Sequence, residues 1–443
     1  MRPNKLSCWI YGLTLCALTI GGMDAALADK LEPPKADNDT RNEYNWSLSD
    51  MKDLKPSEFP QPYKLNWTNG WTPDFELQLS SLTFDDTGSV FWTATEKGPS
   101  LVQFMTSSDG VVSKISSFDT GGEKGALHLE AIDLYENSLF AIAESGHIYE
   151  WKLENDKGSI PVLSKDIRRK VELESKKGNQ RYYYPLKNNY GWEGIAVTKD
   201  NIWAVFEGAA VLKGKERYKP ETFKGFLGAV LTNFKLPNAK QSKQRNWIFD
   251  PRQIIPNCPK ENVRLCALEW DGDHLLALVS WYNGTANDHW LLAIDVAYLE
   301  RHNKLVDSIM SDLAKEPKDH EKRARIKEDL RKVGMQYVDE SLQLVTLTPK
   351  EAKNMPNVPE TKPYIQFIDK ISKPEGIEHQ VINWEGMAIQ VVGNKKYLCL
   401  ISDDIEGDAV WKKEDLPPYS KNEATFFLRI PLVEKEVSSR STK

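Results

Sequence analysis

The chain is poor in cysteine, and the few it has are ill placed for chemistry. Five occur in 443 residues, Cys8, Cys16, Cys258, Cys266 and Cys399, with no CxxC pair and no Cys/His cluster. A structural zinc site is therefore not expected. Cys8 and Cys16 fall in the N-terminal apolar stretch; for the other three, a Cys258–Cys266 bridge and a set of buried thiols are both open readings. A long basic run is also missing. Against 58 Lys and Arg stand 64 Asp and Glu, a net charge of −6, and without clustered cations to neutralise phosphates nucleic acid is not an expected partner. Past residue 28 no apolar stretch reaches bilayer length, so no membrane span is expected once the N-terminal segment is removed. The GxSxG elbow is absent, as is any regular alternation of strand with long helix, which disfavours an α/β hydrolase.

What is present begins with an export signal. Arg2 and Lys5 precede an apolar stretch over 10–22 that ends in Ala26-Leu27-Ala28. This layout predicts a signal peptide over 1–28 and an exported protein, periplasmic or secreted. Residues 29–60, rich in Asp, Lys, Pro and Asn, read as a flexible leader. The rest, 61–443, reads as one domain, because 40% apolar and 10% aromatic residues supply a sizeable core.

That domain repeats itself. The clearest unit is WEGIAVTKDNIWAVFEG (192–208), an apolar strand of small residues, a turn, and an apolar strand returning; this is a β-hairpin pattern. LEAIDLYENSLFAIAES (129–145) and LCALEWDGDHLLALVSW (265–281) align with it without a gap, WEGMAIQVVGNKKYLCLISDD (384–404) with extra turn residues, and LSSLTFDDTGSVFWTATEKG (79–98) more loosely. Starts at Ser80, Glu130, Glu193, Cys266 and Glu385 are 50, 63, 73 and 119 residues apart, lengths suited to four-stranded blades with loops. A further apolar strand follows most hairpins, as in 147–153, 226–236, 289–296 and 424–432. The expected fold is thus an all-β propeller of five four-stranded blades, with a sixth open between Val338 and Ile382. The last hairpin has no room for a fourth strand, so PYKLNWT (62–68) is a candidate to close the ring. Residues 297–334 depart from the pattern: Leu305, Ile309 and Leu313, then Ile326, Leu330 and Val333, fall at helical spacing among many charges. They predict a helical insertion split at Pro317.

The repeat also places acids. Glu130 with Glu144, Glu193 with Glu207, and Glu385 with Asp403 stand at the first and last positions of their hairpins, where a simple ladder would set like charges side by side at one mouth of the channel. Such pairs call for a cation, a donor or a proton. These six residues are the candidate metal ligands. Hard oxygens from several blades suit Ca²⁺; capping of backbone N–H groups at the blade edges is the plainer alternative. His128, His147 and His274 lie near these positions but share no spacing with the other histidines, and no catalytic residue is assigned.

Taken in order, the hairpin at 79–98, HLEAIDLYENSLFAIAE, NNYGWEGIAV, VRLCALEWDGDHLLALVSW and WEGMAIQVVGNKKYLCLISDD resemble the motifs of the secreted phytase-like family, described as having esterase-like activity of phytase. The similarity spans about residues 77–432 and departs from the family at Ser81, Ala131 and Ser280-Trp281. The resemblance implies an exported β-propeller with esterase or phosphoesterase activity on a small-molecule ester. A Ca-dependent hydrolase working at the acidic channel is the first functional reading. The alternative is a non-catalytic secreted propeller that binds a ligand or protein partner, its metal structural or lacking.

Overall fold

The computed structural model describes residues 43–49, 63–64, 79–85, 88–95, 101–106, 112–118, 127–154, 160–170, 176–177, 180–181, 183–185, 191–212, 226–236, 245–249, 251–259, 263–282, 287–300, 365–371, 383–402 and 426–435. Each aligned hairpin forms the two inner strands of one antiparallel sheet. Blade 1 is built from β3 (Thr83–Phe84), β4 (Val90–Ala94), β5 (Leu101–Thr106) and β6 (Val112–Phe118). Blade 2 follows with β7 (Leu129–Tyr135), β8 (Ser138–Ala143), β9 (His147–Glu154) and β10 (Ile160–Lys170). Blade 3 holds β14 (Trp192–Val197), β15 (Asn201–Leu212), β16 (Phe226–Lys235) and β17 (Arg245–Phe249), with β13 (Tyr183–Pro185) extending the edge beside β14. Blade 4 contains β18 (Val263–Trp270), β19 (His274–Tyr282), β20 (Asn287–Asp295) and β21 (Ile365–Ile371). Blade 5 contains β22 (Trp384–Val392), β23 (Lys395–Ser402) and β24 (Phe426–Glu434).

The blades close into a ring because a blade is apolar on both faces and only its neighbours can cover them. All six residues of β8 are buried, as are Leu275 to Ser280 of β19. Shared cores join the sheets in sequence. Trp92 and Leu101 pack with Leu139 and Trp151 between blades 1 and 2, Trp203 and Trp247 with Leu275 and Leu292 between 3 and 4, and Leu276 and Leu291 with Leu398 and Leu428 between 4 and 5. Between blades 2 and 3, Glu144 O accepts the Trp192 N–H. The last seam returns to the start, with Phe91 and Phe104 stacked against Ala388, Ile401 and Phe427. Small residues let inner strands approach. A Cβ on Gly386 would sit 2.7 Å from the Ser81 carbonyl carbon, and one on Gly194 2.9 Å from Leu268 N.

Two sequence expectations change. The segment expected as a possible sixth blade supplies β21, the outer strand of blade 4; the remainder of 338–382 lies outside the described residues. The ring is closed by two pieces on one side of β24. One is β2 (Tyr63–Lys64), inside the segment expected to close it, and the other is β1 (Trp46–Leu48), from the stretch read as a flexible leader. The described part of that stretch, 43–49, is anchored. Tyr44 is buried, its hydroxyl donates to Asp271 Oδ2 at 2.7 Å, and Lys396 Nζ donates to Asp271 Oδ1 at 2.6 Å while lying over the Trp46 ring. Composition could not reveal this, because three strand residues among many polar ones leave no periodic signal. Of the expected helical insertion, residues 296–300 are helical, opened by Asp295 Oδ1 accepting the Tyr298 N–H; 301–334 lie outside the described residues.

Two substitutions test the closure. Gly386→Ala forces a methyl into the blade 5–blade 1 seam and should cost about 1–3 kcal/mol in denaturant unfolding. Tyr44→Phe removes one charge-assisted hydrogen bond of the clasp and should cost about 1.5–3 kcal/mol, less if water reaches Asp271.

Candidate functional site

Every inner strand opens with the same irregularity. Pairing steps from Leu129–Ala143 to Ala131–Ile142 in blade 2, from Trp192–Phe206 to Gly194–Val205 in blade 3, from Leu265–Val279 to Ala267–Leu278 in blade 4, and from Trp384–Ser402 to Gly386–Ile401 in blade 5. The residue passed over is Glu130, Glu193, Cys266 or Glu385. Blade 1 shows the same one-residue offset between Leu79–Thr95 and Thr83–Trp92. A bulge takes a residue out of the ladder and re-aims its side chain. Here four bulges at one end of the channel carry Glu130, Glu193, Cys266 and Glu385, and the offset of blade 1 falls between Leu79 and Thr83.

The outcome is a convergence of acids, though not in the pairs expected. Bulging shifts the register so that the Glu144 N–H bonds to His128 O and the Glu207 N–H to Gly191 O. Neither acid therefore lies directly across from Glu130 or Glu193. Glu193 instead meets acids from three blades. Burial first, then the charges of Glu130, Glu207 and Glu385, hold its carboxyl well above the usual range, with Arg264 opposing. Glu207 is also raised, mainly by burial and in smaller part by Glu144, against the pull of Arg264. Glu144 itself is exposed at the rim, and Asp403 lies outside the described residues. Among the described residues, no three acids, histidines or cysteines stand close enough to hold one metal ion.

Arg264 is the functional residue that sequence reasoning missed. It precedes the fourth hairpin, and its guanidinium reaches blade 3 to donate to Glu207 Oε1 at 2.5 Å. Both side chains are largely buried, and the field of Glu207 and Glu385 keeps Arg264 charged against the cost of burial. The available sign was a lone arginine just before an aligned repeat. Cys266, which takes the acidic position in blade 4, is a buried thiol pushed up to about 12 by burial, too high to serve as a nucleophile at neutral pH. Cys258 and Cys399 are also free. The bulge places Cys266 in the blade 4–5 core, whereas Cys258 packs against the blade 3–4 core, so the bridge left open by their spacing is not formed.

Three residues further along the inner strands lies a second acidic layer. Inner strands expose N–H groups on the channel edge that no strand pairs, and side chains from the preceding blade reach them. Thr83 Oγ1 accepts the Leu134 N–H at 3.2 Å, Asp133 Oδ2 accepts the Val197 N–H at 2.5 Å, and Glu269 Oε1 accepts the Ile389 N–H at 3.0 Å. These contacts stitch blade 1 to 2, 2 to 3, and 4 to 5. Burial pushes Asp133 up to about 7 despite its three donors. Burial and then the charge of Asp133 hold Glu269 well above the ordinary range.

Among the described residues, His128, His147, His274 and His289 do not form a catalytic group with the acids. His128 is exposed with φ 47°, and His147 Nδ1 meets Ser145 Oγ at the surface. His274 belongs to the opposite end, beside Asp273 and against Tyr44. His289, opposite Ser280 in the ladder, accepts the Trp384 N–H on Nε2 at 3.2 Å. Its proton then sits on Nδ1, leaving no ring lone pair to activate the Ser280 hydroxyl.

No protein-family model matches the chain, and no curated protein matches it in sequence; membership of the phytase-like family is not shown. Among solved structures, a luciferin-regenerating enzyme is similar over 84% of this chain and 97% of its own, at 8% identity and a TM-score of 0.35. The endo-arabinase of Bacteroides thetaiotaomicron is similar over 50% of this chain and 77% of its own, at 12% identity and a TM-score of 0.30. The computationally designed Ika4 protein covers 49% of this chain and 92% of its own, at 12% identity and a TM-score of 0.21. Likenesses this slight carry no activity across, and the propeller rests on its own pairing and seams.

Two measurements probe the layers. Removing the cation in Arg264→Met strands Glu207 and should cost roughly 2–4 kcal/mol of stability, most of it restored in Arg264→Met/Glu207→Gln. Burial pushes Asp133 up to about 7, above the usual carboxylate range, so the native state binds a proton that the unfolded chain gives up at lower pH. Its contribution is full below the unfolded value and is lost as pH rises through about 7. Glu269 acts in the same direction. The melting temperature should fall between pH 5 and pH 8, with a shallower slope in Asp133→Asn.

Proposed function

We propose that the acidic mouth binds a divalent cation, Ca²⁺, and that the protein is an exported, cation-dependent hydrolase of small-molecule esters or phosphoesters, of the phytase-like kind its motifs resemble. The carrying observation is that Glu193 feels the charges of Glu130 and Glu385, which stand on the equivalent bulges of two other blades, and of Glu207, which is held by Arg264. The donor set fits such an ion chemically, being hard carboxylate oxygen throughout. Glu130, Glu193 and Glu385 would be the ligands on this reading, drawn together by the ion, because no three of the described acids stand close enough to share one as they are. Glu144 extends the acidic rim, and Arg264 holds Glu207 to the wall. A bound cation would supply charge neutralisation and polarisation of an ester or phosphoryl oxygen. The chain's own part is to collect the acids and to keep Arg264 in place against them.

A second reading is a secreted propeller that binds a ligand or protein without chemistry. The Arg264–Glu207 ion pair favours it, because it already satisfies one of the acids from within the protein.

Calcium titration of the mature chain separates the two. If the first holds, millimolar Ca²⁺ raises the melting temperature, by about 2.7 kcal/mol of stabilisation at a hundredfold excess over Kd, and chelation reverses it. Glu193→Gln loses the response, and hydrolysis of p-nitrophenyl acetate or phosphate follows occupancy. A wild type indifferent to Ca²⁺, Mg²⁺ and chelator assigns the protein to the binding reading.

A further inference from the structure

The stitches between blades follow a rule that points back to the acidic mouth. In each, the residue three places past the bulge position of one blade accepts the N–H four places past the bulge position of the next. Thr83 takes Leu134, Asp133 takes Val197 and Glu269 takes Ile389. The strands so held are β7, β14 and β22, whose bulges carry Glu130, Glu193 and Glu385. The other two inner strands are β18, with Cys266 at its bulge, and β3, with Ser80 at the aligned position. In the blades before them the acceptor position is filled by Ala196 and Ala388, which have no side chain to accept with. A stitch stands where the next blade carries a glutamate, and an alanine stands where it does not.

Ring closure does not account for this division. At the two alanine seams the backbones themselves come together: a Cβ on Gly194 would lie 2.9 Å from Leu268 N, and one on Gly386 2.7 Å from the Ser81 carbonyl carbon. Those seams close without a stitch. Nor does cohesion call for buried carboxyls, since the Thr83 hydroxyl accepts an N–H in the same role while burial holds both Asp133 and Glu269 above their ordinary range. The glutamates do need holding. Glu193 feels Glu130 and Glu385 as repelling charges, and a bulged residue has given up the ladder pairing that would otherwise fix it. With no anchor on the channel edge, like charges would push these strands apart.

We propose that Thr83, Asp133 and Glu269 are positioning residues of the acidic mouth: each anchors the strand of the next blade four residues from its bulge and so keeps Glu130, Glu193 and Glu385 converged against their mutual repulsion. The calcium arm of the test rests on the cation reading of the mouth, whereas the anchoring itself does not.

The mature chain is compared as wild type, Asp133→Ala, Asp133→Asn, Glu269→Ala and Glu269→Gln. The amide oxygen of Asn or Gln can still take the N–H, and alanine cannot. By amide hydrogen exchange, Glu193 and Gly194 should exchange about tenfold faster in Asp133→Ala while Glu385 and Gly386 keep their rates, and the reverse should hold in Glu269→Ala. Asn and Gln should restore wild-type rates. By calorimetric titration, each alanine variant should bind Ca²⁺ about tenfold more weakly than wild type, with the Asn and Gln variants close to it. Acceleration confined to Val197 or Ile389, equal acceleration at both bulges, or unchanged Ca²⁺ affinity of the alanine variants beside a wild type that binds overturns the assignment. So does unfolding of both alanine variants, because residues whose loss undoes the ring hold the fold and not the mouth. A wild type that binds no Ca²⁺ removes the cation reading instead, and the exchange rates at the bulges then decide the anchoring.

Discussion

The constraint on which this protein depends is the channel edge of its innermost strands. Each of those strands has a neighbour on one side only, and the N–H groups on the other side need partners that no strand supplies. The chain meets that need from the preceding blade, through Thr83, Asp133 and Glu269. It interrupts the same edge with a bulge near the start of each strand, where Glu130, Glu193, Cys266 and Glu385 leave the ladder. Stitching and bulging are two answers to one problem. The first makes the ring cohere, and the second turns side chains of the ladder into a collected site. Both bring carboxylates into places where their charge is expensive, which is why the displaced pKa values fall in these two layers.

Much of the architecture was legible in the sequence, because hairpins are local and the repeat multiplies their signal. Five aligned units with small residues and turns at matching places predicted five blades, and the acids that recur at the first position do meet in space. The pairing of those acids was misjudged for a definite reason. The tight turn between Tyr135 and Ser138 sets a register in which Ala143, not Glu144, would face Glu130, and the bulge moves Glu144 one residue further, opposite His128. Arg264 was invisible because its importance lies in another blade, and a lone arginine before a strand has no periodicity to betray it. Asp133 and Glu269 sit where an alternating pattern expects a half-buried polar residue; only the neighbouring blade shows that each is spent on a foreign backbone N–H. The clasp at Trp46–Leu48 is too short to be read at all.

The two ends of the channel have been given different work. The acidic bulges and Arg264 occupy one end. The hairpin turns occupy the other, and there Tyr44, Asp271 and Lys396 fasten the N-terminal segment while residues 296–300 leave β20 as a helix held by Asn201 to Glu300. The charged insertion therefore departs from the end away from the glutamates, and a change in the described clasp or helix start need not touch the collected acids.

Closure by β1 has a consequence for how the molecule is made. Ser47 and Val433, paired in the last sheet, are 386 residues apart along the chain, whereas every inner hairpin joins residues within one short turn. Bringing the two ends together carries the largest loop-closure entropy in the fold, and contacts of such long range are slow to form. Four blades can assemble from neighbouring segments as soon as these exist. The pairing of β1 with β24 needs the opposite terminus, so loop-closure entropy makes it the pairing expected to form last.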